Sequence, residues 1–294
     1  MRLSEAIKAF AVHQQAGGKS PRTIDGYRRD LELLVVFSGD AAVDALTPDL
    51  LARFAISDPV CLGKDGRPKA VLTVNHLKAA LKSFGRWLAA TDLLPTDPAR
   101  AIAIRRADRK SPNALTEAER KRLLKEVAAR KGPAAARDLV MLEVFLNTGI
   151  RLAELVGLDI ADVDLDGKRI TIRAKGGRTE TRFLNSDLRT TLRRYLRRRA
   201  DMPGHSPALF LSNRDRRISA RQVQTRFAQW LGWAGIDRTG LTVHSIRHTF
   251  GTRLYRKTHD LVLVGRAMGH RTVEATQVYV HEDSEALEEA LESL

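Results

Sequence analysis

Apolar residues recur three or four positions apart through most of the chain, and only near residue 170 does the spacing fall to two. The first rhythm is the stripe of an amphipathic helix, the second a half-buried strand. Leu3, Ile7, Phe10 and Ala11 predict a helix over residues 3–15, closed by Gly17-Gly18. Ser20-Pro21 predicts the next start, because a serine hydroxyl caps free amides and proline suits a first turn. Ile24, Tyr27, Leu31, Leu34 and Phe37 form its expected buried stripe, and Gly39 its stop. Thr47-Pro48 opens a short third helix. Residues 58–68, with Pro59, Gly63, Gly66 and Pro68, read as a loop. From Thr73 a longer helix carries Leu77, Ala80, Leu81, Phe84 and Leu88. Four helices with short connections predict a bundle over residues 1–95.

Pro95, Pro98 and Pro112 then interrupt the pattern, and Arg100, Arg105, Arg106, Arg109 and Lys110 concentrate charge. Residues 96–113 therefore read as a basic connector between domains. Thr116-Glu117-Ala118-Glu119 is a capping box that opens a second domain over residues 114–281. A helix from Pro133 is expected to end at Thr148-Gly149, with Arg151 just beyond it, before another short helix. Ile170 and Ile172 alternate with Thr171 and Arg173, Lys175-Gly176-Gly177-Arg178 turns, and residues 179–184 return as a second strand. Further helices are expected at 188–199, after Ser219, at 243–256, at 261–268 and from Thr272 to Tyr279, with a short strand at 208–211. The fold class is mostly α with a small β-sheet or hairpin. Residues 282–294 are acidic, with an apolar side of Ala286, Leu287, Ala290 and Leu291.

Charge changes the picture. A net charge of +15 and a pI near 10.4 give a surface that attracts a polyanion. DNA or RNA comes before an anionic membrane, since neither a basic amphipathic helix nor a lipidation signal is evident. Cys61 is the sole cysteine, which excludes an internal disulfide and a cysteine-based zinc cluster. The apolar runs are too short to span a bilayer and the start carries no signal segment. A cytoplasmic protein, nucleoid-associated when on DNA, is expected. Arg22, and Lys78, Lys82 and Arg86 at one-turn intervals, are candidates for contact with a phosphate backbone, although a solvated face has the same look. Arg105 and Arg106 of the connector and Arg178 of the hairpin tip join them.

The candidate chemistry lies in an ordered set. His244 and Arg247 are three apart on an expected helix and can face one space. Glu154 lies three residues after Arg151 and can hold it through an ion pair. Phosphodiester substitution loads negative charge onto nonbridging oxygens, and guanidinium groups supply paired donors that stay charged. Lys175, at the hairpin tip, could protonate a leaving oxygen; Lys168 is the alternative and a plain basic turn the bland reading. Tyr279 alone would be read as a packing residue. Its position nine residues after His270 makes it a candidate nucleophile.

Thr148-Gly149-Ile150-Arg151-Leu152-Ala153-Glu154-Leu155, Lys175, His244-x-x-Arg247-His248, Met268-Gly269-His270 and Gln277-Val278-Tyr279 occur in that order. Over residues 115–281 the chain resembles the catalytic domain of the tyrosine recombinase, or phage integrase, family. Ser20-Pro21-Arg22-Thr23-Ile24-x-x-Tyr27-x-x-Asp30-Leu31 resembles the start of that family's core-binding domain, and the layout resembles the compact Xer-type branch. The resemblance implies a helical core-binding domain followed by a mixed α/β catalytic domain. It assigns Arg151, His244 and Arg247 to activating the scissile phosphate, Lys175 to protonating the departing 5′ oxygen, His270 to a phosphate hydrogen bond and Tyr279 to attack. The product would be a 3′-phosphotyrosine that a 5′ hydroxyl of a partner duplex resolves. Neither a cofactor nor a metal is implied: the covalent link retains the bond energy, and cationic side chains fill the electrostatic role. Double-stranded DNA recombination sites are the implied partner, synapsed by a homotetramer or a heterotetramer with a related recombinase, with an accessory protein as a further option. The terminal segment, 282–294, would pack on a neighbouring protomer or fold against its own domain. Met268 stands where leucine is common, and Gly265-Arg266 interrupts a segment usually more apolar. A catalytically silent DNA-binding or architectural protein and a type IB-like topoisomerase compete with the recombinase. The complete side-chain set argues against the first, and the compact two-domain layout against the second.

Overall fold

The computed structural model describes residues 1–106, 113–173, 179–201, 206–270, 276, 278 and 279. The chain divides into two compact units, Met1–Asp108 and Arg109–Leu294. The first contains α1 (Leu3–Ala16), α2 (Pro21–Ser38), α3 (Pro48–Ala55), α4 (Asp58–Cys61) and α5 (Val71–Ala90). Ser20 Oγ accepts from the Thr23 amide at 3.2 Å, and Gly39 closes α2 in the left-handed region at φ 66°. Leu3, Phe10, Leu31, Leu34, Phe54, Phe84 and Leu88 form the core. Phe37 departs from the expected stripe: it is 42% exposed, with its ring 5.3 Å from that of Phe54 at the edge of the core. Residues 58–68 are also more regular than a loop. Pro59 starts the single turn of α4, and Leu62 bridges Pro68.

The first unit continues past residue 95. Ala99 is fully buried in its core. Lys82 Nζ donates to the carbonyls of Arg100 and Ile102, both at 2.9 Å, and Lys78 Nζ to that of Ala103 at 3.4 Å. Asn75 donates to the Arg105 carbonyl at 2.7 Å and accepts from its amide at 3.2 Å. A segment without helix or ladder leaves its carbonyls in need of donors. The α5 face that reads as a basic stripe supplies them, so residues 97–105 form a strap along α5 rather than a free connector.

The second unit contains α6 (Glu117–Ala128), α7 (Pro133–Thr148), α8 (Leu152–Gly157), β1 (Val163–Asp164), β2 (Arg169–Arg173), β3 (Thr179–Phe183), α9 (Ser186–Ala200), α10 (Ala220–Trp233), α11 (Val243–Thr258) and α12 (Leu261–Met268). The strands form one antiparallel sheet in the order β1-β2-β3, with Ile170 opposite Arg182 and Ile172 opposite Glu180. β1 has only two residues, too few for a period to register. The strand expected at 208–211 is instead a pair of isolated bridges, Asp159 to Ala208 and Leu211 to Arg217. Central α7 packs against α6, α9 and α11. Met141, Leu142, Val144 and Phe145 on it share a core with Trp230 and Ile246. Asp138, fully buried, is matched by Arg137, Arg226 and Trp230 Nε1, as a buried carboxylate requires. Gly265-Arg266 does not break α12. Of the helix expected from Thr272 to Tyr279 only Thr276, Val278 and Tyr279 are described, and the turn with Lys175 and Arg178 and the acidic segment 282–294 lie outside the described residues. Among the described residues, no helix is long and apolar enough to cross a membrane.

Candidate active site

The site begins where α7 stops. Gly149 takes φ 59°, and a Cβ there would lie 2.4 Å from Cδ1 of Phe250, so both conformation and space call for glycine. The sharp stop brings Arg151 to the N-terminus of α8. Its backbone amide donates to Glu154 Oε2 at 2.8 Å and its Nη1 to Glu154 Oε1 at 2.6 Å. Its Nη2 donates to the carbonyl of Gly269 at 3.0 Å. Arg247, on α11, is 3% exposed; its Nη1 donates to the Gly149 carbonyl and its Nη2 to the Met268 carbonyl at 2.6 Å. Two guanidiniums from different helices thus meet at consecutive carbonyls of the turn that ends α12. That turn requires Gly269, which has φ 63° and would carry a Cβ 2.2 Å from Glu180 Oε2.

His270 follows the turn, with Nδ1 2.9 Å from Thr276 Oγ1. Tyr279 is 1% exposed and packs on Val264 and Met268. Its ring lies parallel to that of His270, with centroids 6.4 Å apart. Its hydroxyl is 3.3 Å from Nδ1 of His248, whose ring meets that of His244 edge-on at 4.6 Å. Arg151, His244 and Arg247 also line a cleft of 540 Å³, whose other wall carries Arg221 and Gln224 of α10.

Burial and like charge together decide protonation here. Burial, reinforced by the Arg151 charge, pushes the Arg247 guanidinium down to about 10, which leaves it charged at neutral pH. Burial, then Arg247 and Arg151, lowers His244. Burial, then His244, Arg247 and His270, pushes His248 down to about 4. Burial, then Arg247, Arg151, His244 and Arg182, does the same to His270, also to about 4. The arginines are cations and the imidazoles neutral, so each ring offers one donor and one acceptor. Among the described residues, no three His, Cys, Asp or Glu side chains cluster as a metal would need.

The structure therefore brings together Arg151, Glu154, His244, Arg247, His270 and Tyr279. Lys175 and Arg178 lie outside the described residues. Arg22, Arg86, Arg105 and Arg106 are exposed on the first unit, whereas Lys78 and Lys82 are half-buried on α5, donating to the strap. Two residues beside the site carry no role in the sequence reading. His248 stands within the His244-x-x-Arg247-His248 motif, and four-residue spacing on a helix already puts it beside His244. Arg182 is 4% exposed on β3, paired to Glu180 at 2.7 Å and reaching the Met268 carbonyl at 3.4 Å. Its neighbour Phe183 is 78% exposed, so β3 turns its charged face inward, against the ordinary pattern. A Glu-x-Arg pair on one strand face is the signal that could have found it.

The phage integrase family model matches residues 113–286. The chain is 31% identical to tyrosine recombinase XerC of Salmonella typhi over 288 residues, covering 97% of this chain and 92% of that one. It is equally similar, 31% over 284 residues, to XerC of Escherichia coli O1:K1 / APEC, covering 96% of this chain and 91% of that one. Among solved structures it superposes on XerH recombinase bound to a palindromic difH substrate, with a TM-score of 0.79 and 22% identity over 98% of this chain and 84% of that one. The Tn1549 transposon integrase in complex with transposon right end DNA gives a TM-score of 0.76 at 20% identity over 99% of both chains. With the ordered Arg, His, Arg, His and Tyr side chains gathered at one turn, the chain belongs to the phage integrase family, the tyrosine recombinases that exchange DNA strands at specific sites through a tyrosine nucleophile.

Proposed function

We propose that Tyr279 is the nucleophile of this strand-exchange enzyme and that Arg151 and Arg247 hold the phosphate it attacks. The observation that carries the reading is the convergence of both guanidiniums on the adjacent carbonyls of Met268 and Gly269, next to His270. Each guanidinium has five N–H donors and has donors to spare for nonbridging oxygens, where charge builds in the five-coordinate transition state. His244 and His270, neutral at pH 7, add hydrogen bonds. Lys175 protonates the 5′ oxygen as it leaves. The link formed is a 3′-phosphotyrosine, and attack on it by the 5′ hydroxyl of a second duplex completes exchange.

The substrate in this reading is double-stranded DNA, supported by the net charge of +15 and by relatives solved on DNA. Arg22, Arg86, Arg105 and Arg106 contact its backbone. Four protomers, identical or of two related kinds, synapse two sites in the cytoplasm, and residues 282–294 link neighbours. Deleting the residues after His281 then weakens assembly on DNA, as measured by sizing, more than it weakens folding.

Covalent capture tests the reading. A random-sequence pool of nicked duplexes, in which the nick lets the cut 5′ end diffuse away, is incubated with the full chain, and DNA-linked protein is recovered under denaturing conditions. Adducts from the intact chain that vanish with Tyr279→Phe are expected. Adducts that persist in Tyr279→Phe refute the assignment. DNA binding with no adduct from the intact chain favours a silent DNA-binding protein; on intact duplexes, where the 5′ hydroxyl stays in place, resealing of the same strand with no exchanged product favours a topoisomerase.

A further inference from the structure

We infer that His248 is a catalytic residue of this enzyme: its Nδ1 takes the phenolic proton of Tyr279 as the tyrosine attacks, and returns it when the tyrosine leaves. The inference rests on the assignment of Tyr279 as nucleophile. It is carried by geometry. The Tyr279 hydroxyl is 3.3 Å from His248 Nδ1, a long hydrogen bond of the kind that tightens to transfer distance when substrate binds. The other imidazole beside the tyrosine is placed differently. His270 has Nδ1 at 2.9 Å from Thr276 Oγ1, and its ring runs parallel to the tyrosine ring, at an interplanar angle of 7° with centroids 6.4 Å apart. The His270 Nδ1 is thus engaged by the threonine hydroxyl, whereas the His248 Nδ1 meets the phenol itself. The His248 ring is tilted 54° to the tyrosine.

The balance of the step is complete. Tyr279 Oη forms a bond to phosphorus, its proton passes to His248 Nδ1, and the bond from phosphorus to the 5′ oxygen breaks, that oxygen taking its proton from Lys175. In the second half the tyrosine is the leaving group and recovers the proton from His248, as microscopic reversibility requires. The groups around His248 are His244 and Arg247 on its own helix, His270 after α12, and Tyr279. With cations and imidazoles on these sides the ring is neutral in the free chain, the form that accepts a proton. A bound phosphodiester brings an anion to the same place and strengthens the base at the moment it is needed.

Two measurements test this on the full chain. In the first, nitrogen-15 spectra of histidine-labelled free protein at neutral pH report the tautomer of His248. Nδ1 is expected without its proton, with a resonance that moves in Tyr279→Phe; a protonated Nδ1 reverses the direction of the hydrogen bond and overturns the inference. In the second, single-turnover cleavage is followed on one nicked duplex recovered by covalent capture. His248→Asn keeps a hydrogen-bond acceptor but not a base. It is expected to cleave about 100-fold more slowly. Its rate should rise about tenfold per pH unit as hydroxide takes over, while the wild-type rate stays flat. A slow but pH-flat His248→Asn marks a role in position alone, and a wild-type rate marks no role; either overturns the inference. Loss of the adduct in Tyr279→Phe beside unimpaired His248→Asn overturns only this inference, whereas an adduct in Tyr279→Phe overturns the nucleophile assignment beneath it.

Discussion

Gly251 lies against the ring of Tyr279: a Cβ at residue 251 would stand 2.5 Å from the tyrosine Cζ and 2.8 Å from the Met268 sulfur. The backbone there is ordinary helix, so glycine serves the space and not the turn. Gly251→Ala gains about 1 kcal/mol of helix propensity and loses about 1–3 kcal/mol to overpacking. The net is a loss of about 0–2 kcal/mol, so the thermal midpoint is expected to fall by no more than about 8 °C and the protein to stay folded, while the tyrosine is displaced from His248. Covalent capture of DNA should fall at least about tenfold, the equivalent of about 1.4 kcal/mol in the barrier. Full capture by a folded Gly251→Ala would mean that the tyrosine does not react from this seat.

Glu154 fixes Arg151 at two atoms, its backbone amide and its Nη1. The Arg151 side chain is 41% exposed, so the pair contributes little to folding, about 1 kcal/mol or less. Its effect is on position. Glu154→Gln keeps the shape and loses the charge; stability measured in denaturant should barely move. Cleavage should drop by about ten- to a hundredfold, the scale of a small misplacement at a reacting centre. Equal cleavage by the two proteins would sink the idea.

The site's histidines also set a pH dependence of stability. His248 and His270 are held down to about 4 in the folded chain, against about 6.5 in an unfolded one. As pH falls below about 6.5 the unfolded chain takes up protons there while the folded chain does not until about 4, so stability is lost across that window. His244 is shifted the same way. Asp30 and Glu143, raised by burial, oppose the trend. Asp40, Glu117, Asp159 and Asp164 are lowered and lose their contribution only at more acidic pH. Melting curves from pH 7 to pH 5 should show a falling midpoint, with a shallower fall in His248→Asn. A midpoint that holds steady in both proteins contradicts neutral buried imidazoles.

On the first unit, Lys82 donates to two strap carbonyls, whereas Arg22 is exposed. Arg22→Ala should reduce the slope of log affinity against log salt by about one, as loss of one phosphate contact does. Lys82→Met should leave that slope nearly unchanged. Instead it frees residues 97–105, and trypsin should cut at Arg100 and Arg105 faster than in the wild type. The opposite pair of results would assign Lys82 to DNA and leave Arg22 as plain surface.

Most helices were legible because their signals are local. Ser20, Thr116 and Ser219 cap helices that start within a residue of the expected place, and Gly39, Gly149 and Gly269 end α2, α7 and α12 in the left-handed region. The strap was not legible. Its proline and arginine content is that of a connector, and the residues that hold it down, Asn75, Lys78 and Lys82, are distant in sequence. The inward face of β3 was missed for a similar reason: a two-residue period says which residues share a face, but not that the buried face is the charged one.

The chemistry on offer follows from residue types and their order alone. Two arginines, a lysine, two histidines and a tyrosine in fixed order, in a chain of charge +15, name a phosphate and a nucleophile because those properties belong to side chains wherever they stand. Tertiary structure decided which atoms meet. Arg151 reaches the Gly269 carbonyl 118 positions away, and Arg247 spans from the Gly149 carbonyl, 98 positions away, to that of Met268, so the two meet only because α7 ends beside the turn at Met268 and Gly269. The same packing set Tyr279 against Gly251 and its hydroxyl against His248. Burial then made the histidines neutral while the arginines stayed charged. Desolvation depends on the neighbours that the fold supplies, and no spacing along a chain encodes it.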